Sequence, residues 1–543
     1  MDILTSDSRL QTPDSRLSCN TLPVAPDWMV RCFAAPLRGA VVFVDVAMGW
    51  PLIRRAKVSD SQVWIIAEKE IAENVRNFKI PAAFSLLTIL ILMSFFLMSL
   101  DYQKRLDNWS TNRAAQSDKL FSGITSNYRS ADNQMTMTAN SIQPEPLIRK
   151  PMMMSVMAKG LDSLMERSVT IGEHGSVPPA VGFVFGASQE RNRNVMTAAA
   201  PDLLFMIKII VSLLALFFAY DAIAGEKERG TLKAMLSGPV RRRTVLVGKW
   251  IGASLSLAVP FLLAALTGLV YLRLVRGFSF EGAEWARVAL IFAASVLYGL
   301  VFISLGLLIS ARSSTRKQSI AVALACWVLL ALVLPNVTAL ATERLRPLPT
   351  ATEHNASVIP LARQIESEAA AGGEEGFEFP GYGLHYQSAA PRIRQIARQA
   401  DNDYISRKLD RDRLARRLAR LSPAGAFSYG VTDLAGTGLG EFQSYIIKLQ
   451  RGRDRQIELA DEKQNTISLS ISTEEEQKRA NEKLAEFFEK AKQLNRDLYE
   501  SLVVMRSPQE AITDALPDLA ALAAWSALML LMAAAAFNRA DVR

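Results

Sequence analysis

Apolar residues collect in six windows along the chain, 80–100, 203–220, 250–272, 288–311, 318–342 and 519–538. A helix rises about 1.5 Å per residue and a bilayer's hydrocarbon core is about 30 Å thick, so each window predicts a membrane-spanning helix. One charged residue, Lys208, falls inside these windows. It lies about 9 Å in from Asp202, where a long stem can snorkel to the surface, pair with another subunit or line a substrate path. Pro260 and Pro335 fall inside the third and fifth windows and invite kinks. Ahead of the first window, Trp64, Ile71, Val75 and Phe78 mark one face of a helix over 63–79, with Glu68, Lys69, Glu73, Asn74 and Arg76 on the other. That pattern predicts an amphipathic helix on the membrane surface, turning into the first span at Pro81. Residues 1–62 form an N-terminal tail; its apolar run Gly39–Ile53 is interrupted by Asp45, Gly49 and Pro51 and fits neither a signal peptide nor a span. The tail is either disordered or interfacial, or Met48 is the natural start.

Two long segments, 101–202 and 343–518, separate the spans. The first predicts a helical continuation from Asp101 to Leu120, then short strands around Ser168–Gly186, where Gly and Pro punctuate the chain. The second reads as mainly helical. Thr473 to Glu476 form a capping box, and Leu484, Phe488, Ala491, Leu494, Leu498 and Leu502 follow at three- and four-residue steps. The expected partner of that helix is Arg392–Leu421, where Ile405, Leu409, Leu414, Leu418 and Leu421 share a face. Its basic side either is solvated and paired with acidic neighbours or holds anionic headgroups or substrate. The apolar stretch Ala424–Leu439 is expected to lie on the membrane surface near a pathway exit. The fold class expected is an all-α polytopic membrane protein, with six transmembrane helices and two large extracytoplasmic insertions, mainly helical, the first α+β.

The chain has 543 residues, 50% hydrophobic and 21% charged, with a formal net charge of +9. Charge is confined almost wholly to the segments between the windows, which excludes a soluble protein, a collagen and a disulfide scaffold. Lysines and arginines before the first span (Arg54, Arg55, Lys57, Lys69, Arg76, Lys79), after the second (Lys227 to Lys249) and in the loop 312–317 all fall on one side of a six-span topology. By the positive-inside bias that side is cytoplasmic, with both termini, and the insertions lie outside. Cys19, Cys32 and Cys326 have no metal-ligand spacing, and His174, His354 and His385 are scattered, so no metal site is expected. No nucleophile, base and orienter set suggests a catalytic site.

The most informative stretch is YDAIAGEKERGTLKAMLSGPVRRRTVLVGK, residues 220–249. It reads as a short charged helix broken by Gly225 and Gly230, a turn at Ser237-Gly238-Pro239, and arginines returning to the bilayer. It resembles the signature loop of ABC-2 type transporter permeases. Further segments agree in order: the helix before the first span, LGLLISARSSTRKQSIAVALACWVLLALVLP across the fourth and fifth spans, and LSPAGAFSYGVTDLAGTG at 421–438. The last two, with IQPEPLIRKPMMMSVMAKGLD at 142–162, resemble the subgroup with large extracytoplasmic insertions. The resemblance covers about Trp64 to Arg543.

The resemblance implies a permease subunit of an ATP-binding cassette exporter in the bacterial cytoplasmic membrane. By position, Glu226, Lys227, Glu228, Gly230, Thr231 and Leu232 of the loop 221–249 become the coupling element that docks on a separate ATPase. Trp64, Glu70 and Phe78 belong to the surface helix. A phosphate-cradling G-x-x-x-x-G-K-[ST] is missing from the sequence, so the chain is not expected to be an enzyme by itself; ATP and Mg²⁺ belong on the partner. The partners expected are that ATPase, a second copy or sister permease, and the lipid bilayer, with no nucleic acid and no cofactor in this chain. The alternatives are a non-transporting mechanotransmission or assembly subunit of an envelope complex, of gliding-motility or metalloenzyme-maturation type, and a membrane enzyme with its site in the insertions.

Overall fold

The computed structural model describes residues 58–122, 127–129, 135–137, 146–147, 149–162, 169–170, 202–238, 240–373, 377–379, 383–385, 389–467, 504 and 506–539, with isolated positions between 475 and 501. The N-terminal tail to residue 57 lies outside the described residues. Helix α1 (Val58–Arg76) leads through a tight corner into α2 (Lys79–Ser122). The second span is α3 (Leu203–Met206), a π-turn (Ile207–Val211) and α4 (Ser212–Ala219), followed by the short α5 (Ala224–Glu228) and α6 (Thr231–Leu236). Then come α7 (Arg242–Leu274), α8 (Gly282–Arg312) and α9 (Arg316–Trp327), the last continued through a π-turn (Val328–Val333) into α10 (Leu334–Leu345). The second insertion supplies α11 (Ala351–Ala371), α12 (Ala389–Ala419), α13 (Pro423–Ala435) and α14 (Leu439–Ile467), and α15 (Pro508–Arg539) is the last helix.

Six of these helical segments are long and apolar enough to cross a membrane, within 79–111, 203–228, 242–274, 282–312, 316–345 and 508–539. The protein is an all-α polytopic membrane protein. The spans alternate in direction, which puts α1, the 220–242 loop, the 312–316 turn and the end of α15 at one end of the bundle. At this loop end Lys79 pairs with Asp221 at 2.9 Å, and Arg242 donates to the carbonyl of Asn538 at 3.0 Å. At the opposite, insertion end, Arg276 donates to Ser99 at 2.8 Å and Arg287 to the carbonyl of Leu434 at 2.5 Å.

The packing of α7 follows from a stripe of small residues. Gly248, Gly252, Ser256, Pro260, Ala264 and Gly268 recur every four residues and are all buried. Such a stripe lets backbones approach closely, and dispersion and hydrogen bonding replace the hydrophobic effect inside lipid. A Cβ at Gly252 would meet Glu70 Cβ at 2.6 Å, and one at Gly268 would meet the Phe95 ring at 2.6 Å. Thus α7 holds α1 with one half of its stripe and α2 with the other. Pro260 is accommodated inside the unbroken α7, whereas Pro335 follows directly on the π-turn at 328–333. Span α8 is the most enclosed of the six, with Ile291, Tyr298, Val301, Phe302 and Ile303 fully buried.

The corner before the first span lies at Asn77–Phe78 rather than at Pro81. Phe78 takes a left-handed φ of 58°, and Pro81 sits within the first turn of α2, where its missing N–H has no partner to lose. In the first insertion α2 runs on to Ser122, and three short antiparallel pairs occur among the described residues of the chain: Asn127–Arg129 with Met135–Met137, Pro146–Leu147 with Val169–Thr170, and Phe377–Phe379 with Gly383–His385. Residues 171–200 and the leucine-rich face expected at 484–502 lie outside the described residues. Helix α12 packs on α10, the continuation of the fifth span, and on α11. The stretch 424–439 does not lie on the membrane surface: α13 is buried against α15 and α8, with Phe427, Leu434 and Ala435 fully enclosed.

Candidate functional site

At the loop end, α1, the 221–236 loop and α7 converge on one buried lysine. The Lys249 ammonium lies 2.9 Å from Glu70 Oε2 and 3.0 Å from Glu226 Oε1, and the three side chains are at most 7% exposed. Lys69, half exposed, adds a second contact to Glu226 at 3.1 Å. Two carboxylates against two ammonium groups balance the charge, which makes burial tolerable. Burial pushes the Glu70 carboxyl above its ordinary range, with the Lys249 charge pulling the other way. One turn further along, Asn74 donates to Ser256 at 3.1 Å, and Lys79 grips Asp221.

The loop is also fastened to the turn between the fourth and fifth spans. Ser310 Oγ accepts from the backbone N–H groups of Ile223 and Ala224 at 3.0 and 2.9 Å, closing donors exposed where the second span unwinds. Lys227 donates to the carbonyls of Ala311 and Ser313, the second at 3.3 Å, and Glu228 accepts from the Arg316 N–H at 3.0 Å. Gly225 lies close under the Arg316 side chain, where a Cβ would come within 2.8 Å of Nε and push the guanidinium aside. Gly230 takes a φ of 74° and makes the reversal between α5 and α6.

These bonds divide the six loop residues singled out in the sequence. Glu226 and Leu232 face inward and Lys227 is tied to α8, whereas Glu228, Gly230 and Thr231 lie at the exposed tip beside Arg229 and Lys233. In α1 Glu70 is buried, while Trp64 and Val75, and Phe78 in the corner that follows, are left open, Phe78 by 73%. The open apolar side matches the stripe read in the sequence; the opposite side is not uniformly solvated, because Glu70 and Asn74 turn into α7. In the sequence Asn74 reads only as part of a polar helix face and Lys249 only as one of the loop cations, and Ser310 carries no signal of its contact. The small-residue stripe beginning at Gly248 was the available signal for the α1–α7 contact.

The insertion end carries a second cluster. Arg416 contacts Asp518 and Asp433, each at 2.5 Å, and donates to the carbonyl of Asp514. Arg420 reaches Asp518 at 2.5 Å, Arg149 reaches Glu441 at 2.5 Å, and Arg506 reaches Asp514 at 2.5 Å. Burial raises Asp433 to about 6 despite Arg416, which it shares with Asp518. The two segments 142–162 and 421–438 meet here: Thr437 donates to the carbonyl of Ala158 at 2.8 Å, and its own carbonyl accepts from Leu161 at 2.8 Å. His354 pairs with Asp401 at 2.8 Å and stacks on Tyr404.

A profile of the ABC-2 family transporter proteins matches residues 64–542. The chain belongs to that family. It is 32% identical over 158 residues to the probable ABC transporter permease protein NosY of Stutzerimonas stutzeri, covering 28% of this chain and 57% of that protein. The NosY protein of Pseudomonas aeruginosa is 34% identical over 134 residues, 24% of this chain and 47% of its own length. The ABC transporter permease protein NatB of Bacillus subtilis is 31% identical over 140 residues, 24% of this chain and 36% of its own. The chain thus matches about half the length, or less, of these relatives.

Proposed function

We propose that this chain is the permease subunit of an ABC-2 exporter, driven by a separate ATPase that binds ATP and Mg²⁺ and docks on the 221–249 loop. The loop end then faces the cytoplasm of a bacterial inner membrane, with both termini, and the insertions face outward. A second copy or a sister permease completes the pathway, since six spans are half of a usual exporter. The observation that carries this reading is the joining of an exposed tip to three elements at once. Glu226 is bound to α1 and α7 through Lys249, and Ile223, Ala224 and Lys227 are bound to α8. Force applied at Arg229–Lys233 therefore has bonded routes to the surface helix and to the third and fourth spans. In this reading Glu228, Gly230 and Thr231 meet the ATPase, while Glu226, Lys227 and Leu232 transmit. Trp64 and Phe78 rest in the headgroup layer, and Glu70 ties the surface helix to the third span.

The test begins with extraction from the native membrane and identification of a Walker-motif protein that co-purifies. Reconstituted with it, the triple variant Arg229→Glu, Thr231→Asp, Lys233→Glu should lower permease-stimulated ATP turnover by about tenfold. Its thermal midpoint should stay at the parent value, because these side chains are exposed. Unchanged turnover would exclude this tip as the docking element.

A further inference from the structure

Lys208 is the one charge within the six apolar windows, and among the described residues no carboxylate forms an ion pair with it. The acid that acts on it is Asp202, but both Asp202 oxygens are engaged: Oδ1 accepts from the Phe205 N–H at 2.8 Å and Oδ2 from the Lys159 N–H at 3.2 Å. Among the described residues no carboxylate comes to ion-pair distance of the Lys208 ammonium. A charged group at this depth is costly unless an anion or the headgroup layer reaches it.

The position of this lysine is held from two sides. It lies in the π-turn Ile207–Val211, a rare geometry that recurs at functional positions. Its carbonyl accepts from Tyr298 Oη at 3.0 Å and from Ser212 Oγ at 2.6 Å. Tyr298 is itself fixed, stacked on Phe427 at 4.5 Å, and Ser212 accepts from Trp327 Nε1 at 2.8 Å. The second span is thereby pinned by the fourth, by α13 and by the fifth at the turn that carries Lys208. Phe205, in the helical turn just before it, is 49% exposed and offers apolar surface to the lipid.

A site of this kind selects its ligand by depth and charge together. Inorganic anions stay in water, whereas a lipid phosphate is tethered at the boundary by its acyl chains and can be met by a snorkelling stem of about 6 Å. We propose that Lys208 binds the phosphate of a net-anionic phospholipid in the leaflet at the insertion end, with Phe205 against its acyl chain. This goes beyond the permease reading and does not depend on an ATPase. The chemistry shared with free phosphate is the oxyanion itself, so the test separates the two sources.

The full chain is reconstituted in vesicles of phosphatidylcholine with a minor fraction of phosphatidylglycerol, extracted in mild detergent, and its retained lipids are measured by native mass spectrometry. The parent protein should retain phosphatidylglycerol about fivefold above its bulk fraction. Lys208→Gln should bring retention close to the bulk ratio, and Lys208→Arg should keep the enrichment, with size-exclusion profiles confirming that both variants fold. Failure of Lys208→Gln to fold moves the comparison to Phe205→Ala, which should weaken the enrichment with the charge intact. No enrichment on the parent, or full enrichment on Lys208→Gln, would overturn the proposal. Release of the retained lipid by excess inorganic phosphate would assign the site to a free anion and overturn the lipid assignment.

Discussion

Buried ionic clusters close both ends of the bundle, and they are built from different cations. At the loop end the central cation is a lysine: Lys249 stands between Glu70 and Glu226, and Glu226 Oε2 makes no hydrogen bond of its own. At the insertion end the cations are arginines, and Arg416 and Arg420 spread their donors over Asp518, Asp433 and the Asp514 carbonyl. An ammonium is a point charge on a flexible stem and can shift its weight between two carboxylates. A guanidinium is a planar fork that fixes direction as well as distance. The loop end is therefore joined by bonds that survive small displacements, and the insertion end by bonds that resist them. The same contrast appears in backbone contacts. Ser310 and Lys227 hold the loop through side-chain groups, whereas at the insertion end a main-chain bond from the Leu161 N–H to the Thr437 carbonyl stands beside the bond of the Thr437 hydroxyl to Ala158.

The largest effect should come from Lys249→Met, which leaves Glu70 and Glu226 buried together without their common cation. A loss of about 3–5 kcal/mol is expected, read as a lowered thermal midpoint and poor yield in detergent. Asp518→Asn should follow at about 2 kcal/mol, because Arg416 and Arg420 keep some solvent and, for Arg416, the Asp433 partner. If Asp518→Asn proved the more damaging, the contrast between a shared lysine and a distributed set of arginines would be wrong.

The smallest effect is a pH dependence confined to the insertion end. Asp433 titrates near 6 in the folded protein against 3.8 unfolded, so the folded state holds the proton more tightly. Its contribution is greatest below about pH 4, declines as pH rises to about 6, and is level above. Arg416, Asp514 and Asp518 face it, and the Gly440 N–H supports the ionised form. The difference in thermal midpoint between the parent and Asp433→Asn should change across pH 4–6 and stay flat from pH 7 to 8. A flat difference across the lower window would show that Arg416 keeps Asp433 ionised throughout.

The spans were legible because a bilayer demands long apolar runs, and the family because five segments with a recognisable order lie among them. Glu226 and Glu70 are both marked in the sequence, but their meeting is not, since the 155 residues between them hide a contact made through Lys249. The four-residue spacing from Gly248 to Gly268 carried that information and would have placed α1 on α7. Ala424–Leu439 is 16 residues, and an apolar run shorter than the roughly 20 of a span reads equally as surface or core. What decided it was Ser422 bonding to the Leu330 carbonyl and Phe427 stacking on Tyr298, contacts from distant parts of the chain.

The first span does not stop where the membrane does. Helix α2 continues to Ser122, and its 44 residues make a rod about 65 Å long, of which about 30 Å suffices to cross the hydrocarbon. The remainder is a lever whose short arm is clasped by α7 through Gly268. A tilt of about 5° at the clasp would carry the far tip sideways by about 3 Å, roughly the length of one hydrogen bond. Any such rocking of the bundle would thus be amplified well away from the lipid, inside the first insertion at the far end of α2.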